Sequence, residues 1–149
     1  MLINTAMFGQ VEVAPENIFH MPEGMLGFEE LRTFALITRQ EDGVTLRWFQ
    51  SAESPVPCFV VFDPFEWVDG YAPALEKVDL ATLKCSNQDD LSFLTIAVIP
   101  DDLAKTTINL KSPIVLNHKN NTAKQVILSN NSYPIKFALV QEGFDVAAR

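Results

Sequence analysis

Cysteine is scarce in this chain. Cys58 and Cys85 are the only two among 149 residues, and no C-x-x-C spacing occurs. Two cysteines cannot build a disulfide framework, and without that spacing there is no zinc-type or dithiol redox pair, which fits a reducing compartment. Cys58 opens the apolar run Cys58-Phe59-Val60-Val61-Phe62 and reads as an inert buried thiol rather than a nucleophile. Histidine is equally rare: His20 and His118 stand far apart, and neither has partners at metal-ligand spacing. A zinc site needs three or four ligands, so no metal is expected, and each imidazole reads as hydrogen-bonded or solvated. No apolar run approaches the roughly eighteen residues of a membrane span. Residues 1–7 lack the basic start and continuous apolar stretch of an export signal, so a cytoplasmic location is expected.

The catalytic signatures are missing as well. There is no G-x-S-x-G elbow, and Gly24 and Gly27 form a lone G-x-x-G with no Lys-Ser/Thr after it, so neither a hydrolase nucleophile nor a phosphate-binding cofactor loop is indicated. The acidic pairs Glu29-Glu30, Asp89-Asp90 and Asp101-Asp102 each stand beside a turn signal. Adjacent strand residues point to opposite faces, so such pairs suit solvated turns or helix caps better than two carboxyls sharing one cleft. The expectation is a protein that is not an enzyme and carries no cofactor.

What is present is a globular composition, 48% hydrophobic and 20% charged, in one chain of ordinary domain size. The net charge of −8 is lopsided: residues 1–102 carry 17 acidic and 5 basic side chains (−12), and residues 103–149 carry 2 and 6 (+4). An acidic surface repels phosphate backbones, so direct nucleic-acid binding is disfavoured, while basic proteins are attracted to it. The same charge also serves solubility alone, without a particular partner.

Short apolar runs rich in β-branched and aromatic residues recur between Gly, Pro, Asn and Asp, which is the pattern of short buried strands. They predict strands over 2–5, 9–13, 18–21, 34–38, 45–50, 59–63, 91–99, 107–109, 114–117 and 124–128. Residues 10–13 alternate and should show one face to water. Residues 93–99 hardly alternate and should be central. Glu41-Asp42-Gly43 reads as a hairpin turn. Helices are predicted only over 73–83 and, as a single turn capped by Asp101 or Asp102, over 101–104. The resulting fold class is mostly β: an antiparallel-dominated, closed or nearly closed β-barrel-like single domain with one or two short helices. The domain spans 1–140, and the weakly patterned 141–149 is expected to be a frayed C-terminal tail.

Two segments stand out as contact candidates. Residues 22–29 place apolar Met25 and Leu26 in a turn between two glycines, where they either plug the barrel end or form a patch, the plug being favoured. Residues 62–71 combine Phe62, Phe65, Trp67 and Tyr71 with Asp63, Glu66 and Asp69. Aromatics with a charged rim are the composition of a protein interface, and aromatics in a β domain are equally the material of a core.

Read together, Gly24-x-x-Gly27-Phe28-Glu29, Phe62-x-Pro64, Tyr71, residues Asn109-Leu110-Lys111-Ser112-Pro113-Ile114-Val115-Leu116-Asn117, and Gln125-Val126-Ile127-Leu128 resemble the flagellar assembly factor FliW family in order and spacing. Leu26 and Ser112 replace the family's usual Pro and Ala, and both substitutions keep the turn and the strand plausible. The resemblance implies a barrel-like fold and a cytoplasmic, non-enzymatic binding role. Its implied partners are the translational repressor CsrA, which the protein keeps from silencing flagellin messenger RNA, and flagellin, which competes for the protein. An export chaperone for flagellin alone is the alternative. No direct nucleic-acid or membrane partner is implied, and the free chain is expected to be monomeric. Candidate partner-binding residues are Asp63, Pro64, Glu66, Trp67, Asp69, Tyr71, Glu76, Asn109 and Asn117. The amides of Asn109 and Asn117 can instead serve backbone groups at strand ends.

Overall fold

The computed structural model describes residues 1–130 and 132–140, and the expected tail 141–149 lies outside them. The strands are β1 (Leu2–Thr5), β2 (Gly9–Glu12), β3 (Ile18–His20), β4 (Thr33–Glu41), β5 (Val44–Ser51), β6 (Cys58–Phe62), β7 (Ser92–Val98), β8 (Thr107–Ile108), β9 (Ile114–Asn117), β10 (Thr122–Gln125) and β11 (Phe137–Ala138). Two short helices, α1 (Pro64–Trp67) and α2 (Lys77–Thr82), lie between β6 and β7.

Seven strands close into a barrel in the order β3, β4, β5, β6, β7, β9, β10 and back to β3. Every pairing in the ring is antiparallel except β10 with β3, which meet in parallel at Thr122 and His20. Asn121 stitches this seam. Its carbonyl accepts the His20 N–H at 2.8 Å, and its side-chain amide donates to the carbonyls of Pro15 and Ile18 at 2.8 and 2.9 Å. Closure removes the unpaired edges that so many apolar strands would otherwise expose. The β4–β5 hairpin turns at Asp42-Gly43, both at positive φ (51° and 78°). That is a type I′ turn, which matches the right-handed strand twist.

Phe19, Phe34, Phe49, Val61, Leu94, Ile114 and Leu116 fill the barrel, with Phe34 and Phe49 stacked at 5.0 Å and 3°. A second core forms outside it, where Phe93, Val115, Val126 and Leu128 meet Tyr71, Leu83, Ile108 and Leu139. The lack of alternation in 93–99 follows from this arrangement. Phe93 faces the outer core and Leu94 the inner one, so both faces of β7 are covered, while its end at Val98 reaches solvent (59% exposed). A third cluster of Ile3, Val13 and Ala35 seats the β1–β2 ribbon on β4.

Met25 is buried in the inner core at 1% exposure while Leu26 is 48% exposed, so Met25 supplies the plug and Leu26 does not. Gly24 permits this turn: at φ +68° a Cβ would come within 2.7 Å of the Glu29 Cα.

Three expectations shift. The strand read over 124–128 is β10 at Thr122–Gln125. Val126 and Leu128 still donate to the carbonyls of Pro113 and Lys111, but Pro113 has no N–H to return, and the ladder ends there. The helix read over 73–83 begins only at Lys77. Gln88 holds the preceding residues extended, accepting from Leu75 N–H and donating to the Pro73 carbonyl at 3.0 and 2.7 Å. The turn read over 101–104 is a 3-10 helix at Leu103–Lys105, with Asp102 accepting from Ala104 N–H.

Candidate functional site

Helix α1 is built on a two-residue start signal. Asp63 accepts the Phe65 N–H at 2.9 Å as N-cap, and Pro64 occupies the first helical position, where its missing N–H costs nothing. The helix lasts one turn. Phe65 is left 51% exposed, resting on Tyr71 and Phe93 with ring centroids at 5.6 and 5.7 Å. Trp67 lies half-buried, edge-on to Phe62 at 5.6 Å. Glu66 and Asp69 are exposed. The helix forms a ridge between two depressions. On one side Asp63, Glu66 and Trp67 line a groove of about 310 Å³ with β5 and β6, and on the other Phe65 and Tyr71 line one of about 360 Å³ with Pro73 and Gln88.

The predicted site residues therefore divide. Asp63, Glu66 and Trp67 share one groove, with Asp69 exposed just beyond the helix. Glu76 is exposed at the N-cap of α2, where its N–H donates to Asp79 Oδ2 at 3.0 Å. Pro64 and Tyr71 are buried beneath the ridge. Tyr71 donates its hydroxyl to the Leu110 carbonyl at 2.8 Å and lies 4.8 Å from the Tyr133 ring. Burial, then the neighbouring Tyr133, push the Tyr71 hydroxyl well above its ordinary pKa of 10. Asn109 and Asn117 lie apart from the ridge residues in sequence and serve backbone groups. Asn109 Oδ1 accepts from Lys111 and Ser112 N–H at 3.1 and 3.0 Å. Asn117, 2% exposed, donates to the Leu83 carbonyl at 2.8 Å and accepts from Lys119 N–H at 3.0 Å.

An enzyme would gather titratable groups in a pocket around His20 or His118. His118 Nε2 lies 3.1 Å from Ser92 Oγ, which is nucleophile-and-base spacing. Among the described residues no carboxylate bonds the His118 ring to orient it, and no group of three metal-ligating side chains is found. No helix among them is long and apolar enough to cross a membrane.

The family model described as "FliW protein" matches residues 2–139. This chain belongs to the FliW family. A flagellar assembly factor FliW of Thermoanaerobacter pseudethanolicus is 37% identical over 142 residues, covering 95% of each chain. One of Bdellovibrio bacteriovorus is 39% identical over 136 residues, covering 91% of this chain and 77% of that one. The crystal structure of a flagellar assembly factor FliW superposes with a TM-score of 0.86 at 30% identity, covering 97% of this chain and all of the other. The FliW family role is flagellar assembly rather than a known enzymatic activity, and the seven-stranded barrel with its two short helices matches the solved FliW fold.

Sequence reasoning passed over α1 itself and the exposure of Phe65. The Asp63-Pro64 pair was the available signal, a cap followed by a first-turn proline, but one turn is too short for helical periodicity to register.

Proposed function

We propose that this chain binds the translational repressor CsrA and antagonises its repression of flagellin messenger RNA, and that flagellin competes for the chain. The reading rests on FliW membership across residues 2–139. The α1 ridge supports it as a contact surface, because it joins an exposed aromatic, Phe65, to the exposed carboxylates of Glu66 and Asp69. An RNA-binding repressor presents positive charge, and an acidic ridge attracts it. Once docked, a domain of net charge −8 opposes an incoming RNA through its field, even where it does not cover the RNA site. Such a role belongs in the cytoplasm, where messenger RNA and newly made flagellin are found, and the free protein acts as a monomer.

The test is a gel-shift titration of CsrA and flagellin leader RNA with increasing amounts of the chain. The wild type is expected to displace the RNA, and Glu66→Lys, Asp69→Lys and Glu76→Lys combined are expected to restore RNA binding. Unchanged competition by the triple variant sinks the electrostatic account. Flagellin binding with no effect on the repressor supports the export-chaperone reading instead.

A further inference from the structure

One rim of the barrel interior ends in a ring of polar side chains. Phe49, Val61, Leu94 and Leu116 belong to the core inside the barrel. Strand side chains return to the same face every second residue, so Arg47, Asp63, Ser92 and His118 each stand one step outward from one of these four. The strand registers agree, with Arg47 opposite Val61 and Ser92 opposite Leu116. The four polar residues, with Leu94 and Leu116 as an apolar floor, line a mouth of about 380 Å³. Barrel mouths of this kind, apolar below with a few convergent polar groups, are where β-barrels hold small ligands.

Arg47 and Asp63 bring one charge of each sign to this rim, but no ion pair joins them. Arg47 is half-buried, and no described carboxylate lies within ion-pair distance of it. Asp63 Oδ1 accepts the Phe65 N–H at 2.9 Å, which turns that oxygen toward the start of α1. His118 is held beside Ser92 at 3.1 Å and edge-on to Phe19 at 5.4 Å, which fixes the imidazole at the rim. Among the described residues no acceptor meets the guanidinium N–H groups of Arg47, and a carboxylate matches that fork of donors.

We propose that the barrel mouth is a binding site for a carboxylate carrying a short apolar body. The carboxylate would pair with Arg47, supported by Ser92 and His118, and the apolar body would cover Leu94 and Leu116. A free short-chain fatty acid and the C-terminal residue of a peptide share this chemistry.

The test follows the amide resonances of the isotope-labelled full chain during titration with hexanoate and N-acetylleucine, and with their neutral amides. Saturable shifts centred on Arg47, Ser92 and His118 are expected with at least one acid. A response to hexanoate alone identifies a free fatty acid, and a response to N-acetylleucine alone identifies a peptide C-terminus. Arg47→Gln should weaken binding about tenfold or more, the scale of one lost charge-assisted hydrogen bond. If that variant does not fold, Ser92→Ile, which fills the mouth and leaves the guanidinium in place, should abolish the shifts. Equal shifts with the neutral amides, no saturable shift with either acid, or binding unchanged in the variant overturns the proposal.

Discussion

Lys124 Nζ lies 2.8 Å from Asp79 Oδ1, with the two side chains only 11% and 12% exposed, so an ion pair ties α2 to β10 of the barrel. Glu23 adds a second, more exposed partner at 3.2 Å, and Asp79 also accepts the Glu76 N–H that starts α2. Removing one member of a mostly buried pair strands the other charge, so Lys124→Met should cost roughly 3–5 kcal/mol in urea unfolding. Burial pulls the Lys124 ammonium pKa down, but hydrogen bonds and charge from Asp79 and Glu23 outweigh it, and the net shift is upward from 10.5. A lysine raised on folding contributes in full below its unfolded pKa and loses that contribution as pH rises through the folded value. The wild type should therefore lose stability above about pH 10.5 more steeply than Lys124→Met. Equal alkaline slopes would mean that the pair is not coupled to folding.

The Tyr71 hydroxyl tests the outer core by the same logic. Its bond to the buried Leu110 carbonyl is 2.8 Å long, and Tyr71→Phe leaves that carbonyl without this donor. A loss of about 1–2 kcal/mol is expected at neutral pH. Burial raises the hydroxyl above its ordinary value of 10, so the unfolded chain ionises first and wild-type stability falls from about pH 10 upward. Tyr71→Phe should flatten that fall, as read by unfolding midpoints on either side of the transition.

The strands were legible because the barrel wall alternates or saturates in a way that local sequence records. Asp42-Gly43 announces its hairpin, and the non-alternating 93–99 announces a strand covered on both faces, as Phe93 and Leu94 show. Barrel closure was expected only as a way of hiding edges. The parallel seam at His20 and Thr122 joins segments about a hundred residues apart and depends on the Asn121 side chain, which no local pattern marks. The site was legible only in part. The aromatic and acidic content of 62–71 pointed to a surface, yet composition does not separate buried Tyr71 from exposed Phe65. Arg47 reads in sequence as one more polar residue on an alternating strand. Its place at the mouth emerges only when four strands bring their ends together.

Gly24 should tolerate no side chain. It holds φ +68°, and a Cβ would press on the backbone of Glu29, which has no flexible end to yield. Gly24→Ala should cost at least about 2 kcal/mol through left-handed strain and displacement of the turn. Gly27, at φ +86° but with open space around its Cβ position, should cost less in the same thermal-melt comparison. Equal losses at the two positions would show that the Glu29 contact carries no weight.

Asn117 separates structure from binding. Its amide bridges the Leu83 carbonyl and the Lys119 N–H at 2.8 and 3.0 Å from a position that is 2% exposed. The Leu83 carbonyl keeps a second donor in Asn120 at 3.1 Å. Asn117→Ala should therefore cost only about 1–2 kcal/mol, lowering Tm by roughly 3–8 °C. Asn117→Asp is the sharper probe. It preserves shape but sets a buried carboxylate against the Leu83 carbonyl, so it should destabilise more than alanine does. With repressor and flagellin affinities measured on the folded fraction, a structural role predicts values unchanged in Asn117→Ala. A lowered affinity at unchanged Tm would place Asn117 in the interface instead, against its burial beside the Leu83 carbonyl.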